Sequence, residues 1–369
     1  MKTVTKFIAV LAALMTFGSA SAGATPVDRV QLQAGFNGPV ADMTAADSNG
    51  TRYFVGNFTG WDQWFTGSAA MVDGSTGAVD RSFSSFYGVG VNQTVSDGSG
   101  GWYVVGSFTC ANDNGDGDCA DSGEVARKNA AHLNSDGSVD ANWNPQPNGT
   151  VNSAVVIGSN VYLFGAFTTV GASNTARNRA AAIGSDGTVQ SWNPNVNGVI
   201  NSAATDGTTI FIGGSFSQVG SSSRANAAAL GTDGSLSSWA PNPNGAVSAV
   251  TLASSTVYLG GSFTTAGGAS RSNLAAVGTD GTLSSWAPNP NNTVRALAVS
   301  GSTVYVGGLF NNIGGVNRNR VGAVTTAGSV TSWNPAPNNN VYAIAVSGTT
   351  VYLGGLFSKI GSTTAYYAG

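Results

Sequence analysis

The densest group of chemically able side chains lies between two cysteines and just beyond them. Residues 110–124 read CANDNGDGDCADSGE, with the acids Asp113, Asp116, Asp118, Asp121 and Glu124 and no base. A hard cation such as calcium takes about six to eight oxygen ligands, alternating along a loop with a sharp glycine turn. With Asn112 as the first position, Asn114 is third, Asp116 fifth, Gly117 sixth and Asp118 seventh, the front half of such a loop. Asp121 adds a further oxygen. The back half departs from the pattern, because Gly123 stands at position twelve and Glu124 comes one place late. Two readings stay open: a calcium site on Asn112, Asn114, Asp116, Asp118 and Asp121, or a solvated acidic loop closed by a Cys110–Cys119 disulfide. Calcium is the one cofactor the sequence suggests.

Other candidate chemistry recurs in columns. Arg127, Arg177, Arg224, Arg271 and Arg318 follow at steps of 50, 47, 47 and 47. In a chain with 9% charged residues, such a column offers guanidinium groups to carboxylates, phosphates or sulfated glycans. Alternatively each Arg ties its own unit together through backbone carbonyls, which is the expectation for a residue present in every unit. Trp143, Trp192, Trp239, Trp286 and Trp333 step by 49, 47, 47 and 47. Exposed, they would stack on sugars; placed before Pro-rich loops, they are expected to pack between units. His132 is the sole histidine and aligns with Ala182 and other small strand residues. Asp42, Asp47, Asp62, Asp80 and Asp140 are free carboxylates, and two suffice for glycoside hydrolysis, yet no spacing pairs them. Catalysis therefore has little support.

The elements that carry these residues repeat. Phe58, Phe108, Phe167, Phe216, Phe263, Phe310 and Phe357 end segments such as IFIGGSF, VYLGGSF and VYVGGLF, giving seven units. A period of about 47 residues indicates propeller blades or helical arrays, and the abundance of Gly, Thr, Val and Asn disfavours helix. Within Val294–Trp333 the pattern predicts strands over 294–299, 303–310, around 321–325 and 329–333, with Asp-Gly or Ala-Gly turning the last pair. The fold class is thus all-β: a propeller of about seven four-stranded antiparallel blades. The Gly pairs, such as Gly307-Gly308, would let neighbouring blades approach closely. Asp28–Phe36 (DRVQLQAGF) reads like a last strand and could close the ring on the seventh unit, which stops short at Gly369; a truncated chain fits equally.

The GGSF-type strand ends, Arg177-Asn178-Arg179 and Arg318-Asn319-Arg320, the Asp-Gly turns and the Trp-Asn-Pro ends resemble the delta-60 repeat, a propeller-forming repeat of unknown function in exported bacterial proteins. The likeness runs from about residue 28 and weakens in the first unit, which lacks the Arg and the Trp. It implies a propeller and export, and it brings no catalytic residues.

Lys2 and Lys6 followed by the apolar run Phe7–Phe17 and the small residues at 20–24 read as a signal peptide over 1–24, leaving one propeller domain over 25–369. The apolar run is too short to span a bilayer. A net charge of −3 argues against nucleic acid as a partner. Acids outnumber bases 14 to 5 over residues 25–149 and fall to 4 against 8 over 150–369, so a functional rim should lean toward the first two blades. The expectation is a secreted or cell-surface monomer that binds an extracellular protein or glycan through loops on one face. The alternative is a polysaccharide hydrolase or lyase using carboxylates of the first two blades.

Overall fold

Small residues and β-branched residues alternate in this chain in runs too short for anything but narrow sheets. The computed structural model describes residues 40–43, 51–56, 60–61, 64–65, 69–73, 84–112 and 118–365. The leader over 1–24, the segment 28–36, Asn114, Asp116, Asp47, Asp62, Asp80 and residues 366–369 lie outside them. Seven antiparallel sheets follow one another. The first joins Val40–Met43, Thr51–Gly56 and Ala69–Asp73; the second joins Phe86–Ser96, Trp102–Ala111 and Ala130–Leu133. The third to sixth have inner strands Val151–Ile157, Val199–Thr205, Val247–Ala253 and Val294–Ser300. Their outer strands are Ala180–Gly184, Ala227–Gly231, Leu274–Gly278 and Val321–Thr325. The seventh pairs Val341–Ser347 with Thr350–Gly355.

Each inner strand packs on the inner strand of the next sheet, and Val40–Met43 packs on Val341–Ser347, so the seven sheets close a ring. In the second to sixth blades the expected fourth strand is reduced to one bridge each, such as Val277↔Leu283 and Val324↔Val330. The Trp-Asn-Pro stretch leaves the sheet there, because its indole turns toward the next blade. Short hairpins such as Thr265–Ala266 with Ala269–Ser270 fill the loop between middle and outer strands.

The hydrophobic core lies between adjacent blades. Tyr162, Phe164 and Trp192 of the third blade, for example, share one buried cluster with Ile200, Ile210 and Ile212 of the fourth. In the fourth to seventh blades a Gly pair in the middle strand lets the next blade approach more closely, where the third blade has Phe164-Gly165. A Cβ on Gly307 would stand 2.7 Å from Val341 Cγ1 of the next blade, and one on Gly354 2.6 Å from Val40 Cγ1 across the ring closure. Inner-strand amides add links, with Asn152 Nδ2 donating to Ile200 O at 2.9 Å and Asn201 Nδ2 to Val247 O at 2.9 Å.

Candidate functional site

The repeated side chains face the propeller's own backbone. Arg224 donates through one terminal nitrogen to Ser223 O at 2.8 Å and through the other to Ser237 O at 2.9 Å. Arg127 makes the same grip on Ala126 O and Asp140 O, and Arg177 on Ala176 O and Gln190 O. Arg271 and Arg318 repeat it on Ser270 O with Ser284 O and on Asn317 O with Thr331 O. The guanidinium fork thus clips the small hairpin to the chain that enters the Trp-Asn-Pro turn. Its Nε is buried without an acceptor in all five among the described residues, which takes back part of the gain.

The Trp column links blades. Trp143, Trp192, Trp239 and Trp286 donate from Nε1 to Gly184 O, Gly231 O, Gly278 O and Thr325 O of the following blade, at 2.9–3.1 Å. Four of the rings meet an aromatic of their own blade edge-on, as Trp239 meets Phe211 at 5.2 Å and Trp333 meets Tyr305 at 5.3 Å, and Trp143 lies tilted on Tyr103 at 4.9 Å. All five are buried, so no sugar can stack on them. A third column, Asn148, Asn197, Asn244, Asn291 and Asn338, escaped the sequence reading. Asn244 Oδ1, for example, accepts from the N–H groups of Thr264 and Thr265 at 2.8 and 3.0 Å. Its signal is the Asn two or three residues before each of these inner strands.

The second blade departs from this plan at both ends. At one end His132, on the outer strand, pairs across from Tyr103 and stacks on its ring at 4.4 Å. Ala182, Ala229, Ala276 and Ala323 hold that register in the following blades. His132 Nδ1 lies 2.9 Å from Asp140 Oδ2 and Nε2 3.2 Å from Asp97 Oδ2. Burial pushes the Asp140 carboxyl up, but the hydrogen bonds from His132 and from the Asn142 and Trp143 N–H groups, with the imidazole charge, hold it below the usual carboxylate range. Burial raises the Tyr103 hydroxyl, and the Asp97 and Asp140 carboxylates raise it further. Asp97 was not among the sequence candidates; its signal is an Asp-Gly turn in the one unit that also holds a histidine.

At the other end Cys110 and Cys119 form a disulfide with Cα atoms 5.6 Å apart, inside the range that the bond requires. Asn112 donates from Nδ2 to Gly123 O at 2.7 Å, and Asp118 Oδ1 accepts from Ala120 N–H at 2.9 Å. Glu124 Oε2 accepts from Asp121 N–H at 3.0 Å. Glu124 also lies near both sulfurs, but sulfurs joined to each other are not thiolate ligands. Between this loop and the next turn is an open groove of about 400 Å³ lined by Ser84, Asn112, Val125, Asp136 and Ser138.

A closed ring of seven antiparallel blades defines a β-propeller. No family model matches the chain, and no curated protein does. Among solved structures it is similar to the computationally designed Ika8 protein, 13% identical, over 90% of this chain and 97% of that one, with a TM-score of 0.52. It is similar too to the WD40 β-propeller domain of Doa1, 11% identical, over 87% of this chain and 91% of that one, with a TM-score of 0.54. At these identities the likeness is one of fold.

Proposed function

We propose that this protein is an exported, non-enzymatic binding or scaffold module that takes an extracellular protein or glycan at the loops of its second blade. One observation carries the reading. The Arg, Trp and Asn columns are turned into the propeller frame, and among the described residues the second blade adds to the repeat a disulfide loop and an open groove. The disulfide suits an oxidising compartment, in keeping with the signal-like leader, and no helix among the described residues is long and apolar enough to cross a membrane.

The second reading, a polysaccharide hydrolase or lyase, draws support from Asp97, His132 and Asp140 in that same blade. Against it, both imidazole nitrogens already face carboxylates, so neither is directed at a substrate proton. Incubating the oxidised protein with glycan and extracellular-protein arrays should give retention without new reducing ends or unsaturated sugars. Release of either product would replace the binding reading with the enzymatic one.

A further inference from the structure

We infer that the second blade carries a docking patch for a basic protein segment with an apolar anchor, formed by Tyr87 and Val89 beside the disulfide loop. The inference rests on the binding reading above and narrows it to one place and one partner chemistry.

Five other blades enter their inner strand through an Asn that bonds its own frame, from Asn148 to Asn338. The second blade replaces it with the run Phe86-Tyr87-Gly88-Val89-Gly90. Tyr87 pairs with Cys110, Gly88 with Phe108 and Gly90 with Ser107, so Val89 has no residue opposite it. Such a bulge re-aims side chains, and here it is built in. Gly88 has φ 147°, and a Cβ there would stand 2.5 Å from Phe108 Cα. Phe86 anchors the run from below, its ring 4.8 Å from that of Phe108. The result is an outward pair, Tyr87 44% and Val89 70% exposed; among the described residues Val316 is the one other large apolar side chain so exposed. Single exposed apolar residues are ordinary, but two neighbours raised by a glycine-dependent bulge form a shaped surface.

The charge beside the pair is mostly negative, with Asp118, Asp121 and Glu124 against the exposed Lys128. Tyr87 lies across from Cys110, whose disulfide brings in Cys119 and the adjoining Asp118. Arg127 is buried with its guanidinium on Ala126 O and Asp140 O, which leaves an acidic field at this edge. That field attracts cations and repels anions. A peptide with an aliphatic or aromatic side chain seated on Tyr87 and Val89, flanked by Lys or Arg, satisfies both halves of the surface. A neutral glycan would use the Tyr87 ring and gain nothing from Val89 or the acids.

The test uses the oxidised full-length protein on an array of synthetic twelve-residue Lys-rich peptides with a central Leu or Phe, beside versions with Lys changed to Glu or the centre to Ser. A glycan array runs in parallel. The Lys-rich apolar peptides should be retained, and Tyr87→Ser with Val89→Ser should weaken retention about tenfold, as for a buried aromatic anchor. Asp118→Asn with Asp121→Asn should weaken it severalfold and flatten its salt dependence. Unchanged melting temperatures establish that the variants fold. No peptide retention, or retention indifferent to lysine charge or to both variants, overturns the patch. Glycan retention equal in wild type and variants also overturns it but leaves the binding reading standing, whereas release of sugar products defeats both.

Discussion

The third to sixth blades and the second blade share one three-strand plan and place their polar chemistry in opposite directions. In the regular blades the terminal nitrogens of the recurrent Arg and the indoles of Trp192, Trp239 and Trp286 donate to backbone carbonyls of their own or the next blade: Arg224 to Ser223 O and Ser237 O, Trp239 to Gly278 O. The second blade keeps its Arg127 and Trp143 contacts, and then adds a histidine, a disulfide and a bulge that the repeat does not need. Recurrence therefore marks frame, and departure from recurrence marks the place to look for function. Because the blades close a ring, loss of a frame contact should be felt by the whole propeller, and loss of a second-blade addition only locally.

The largest effect should come from the frame. Trp239→Ala removes an indole that is 2% exposed, edge-packed on Phe211 and bonded to the fifth blade. A loss of about 3–5 kcal/mol is expected for such a truncation, read from urea denaturation midpoints. A loss below about 1 kcal/mol would mean that the blades do not rely on this link, and the division between frame and addition would fail.

The disulfide ranks next. Its closed loop spans a sequence separation of 9, so reduction or Cys110→Ser with Cys119→Ser should cost about 2–3 kcal/mol by restricting the unfolded chain less. Hydrogen exchange sharpens the point: protection should fall around residues 107–126 and hold in the fourth to sixth blades. Uniform loss of protection would make the loop part of the frame. Arg224→Lys follows at about 1–2 kcal/mol. Lys cannot grip two carbonyls with one planar fork, but it also removes the buried, unpaired Nε, which holds the loss to the lower part of the range. A melting temperature unchanged by Arg224→Lys would argue against a frame role.

Much of the frame was legible in sequence because it repeats. The strands read over 294–299 and 321–325 are observed as Val294–Ser300 and Val321–Thr325. The fourth strand was read too long because Trp333 and its equivalents look like strand residues and instead leave the sheet to bury their rings. The site was less legible. The eight-residue step from His132 to Asp140 matches no catalytic spacing, and the contact of His132 with Asp97 spans 35 residues and leaves no local one. The Tyr87–Val89 bulge was hidden as well: alternating Gly in FYGVGV reads as an ordinary strand until register shows Val89 unopposed.

The smallest effect should come from protons on the second blade. The Asp140 carboxyl is held below its ordinary value in the folded protein, chiefly by His132 and the Asn142 N–H working against burial. A depressed folded value means that the stabilisation is complete above the ordinary carboxylate value near ~3.9 and is lost as pH falls through the lower folded value. Asp140→Asn removes that titration while keeping much of the shape. The variant should be less stable than wild type at neutral pH by on the order of 1 kcal/mol or less, since both partners keep some contact with water. The difference should then shrink toward zero as pH falls from about 4 to 2, because wild-type Asp140 also becomes neutral there. Asp186, Asp233 and Asp280 in the regular turns are depressed as well, chiefly through hydrogen bonds from the residue two positions on. Their acid loss is common to both proteins and cancels in the comparison. Urea midpoints for the pair at neutral pH and near pH 2 decide the matter. A gap that stays constant across that range would show that Asp140 holds the second blade through its shape and not its charge.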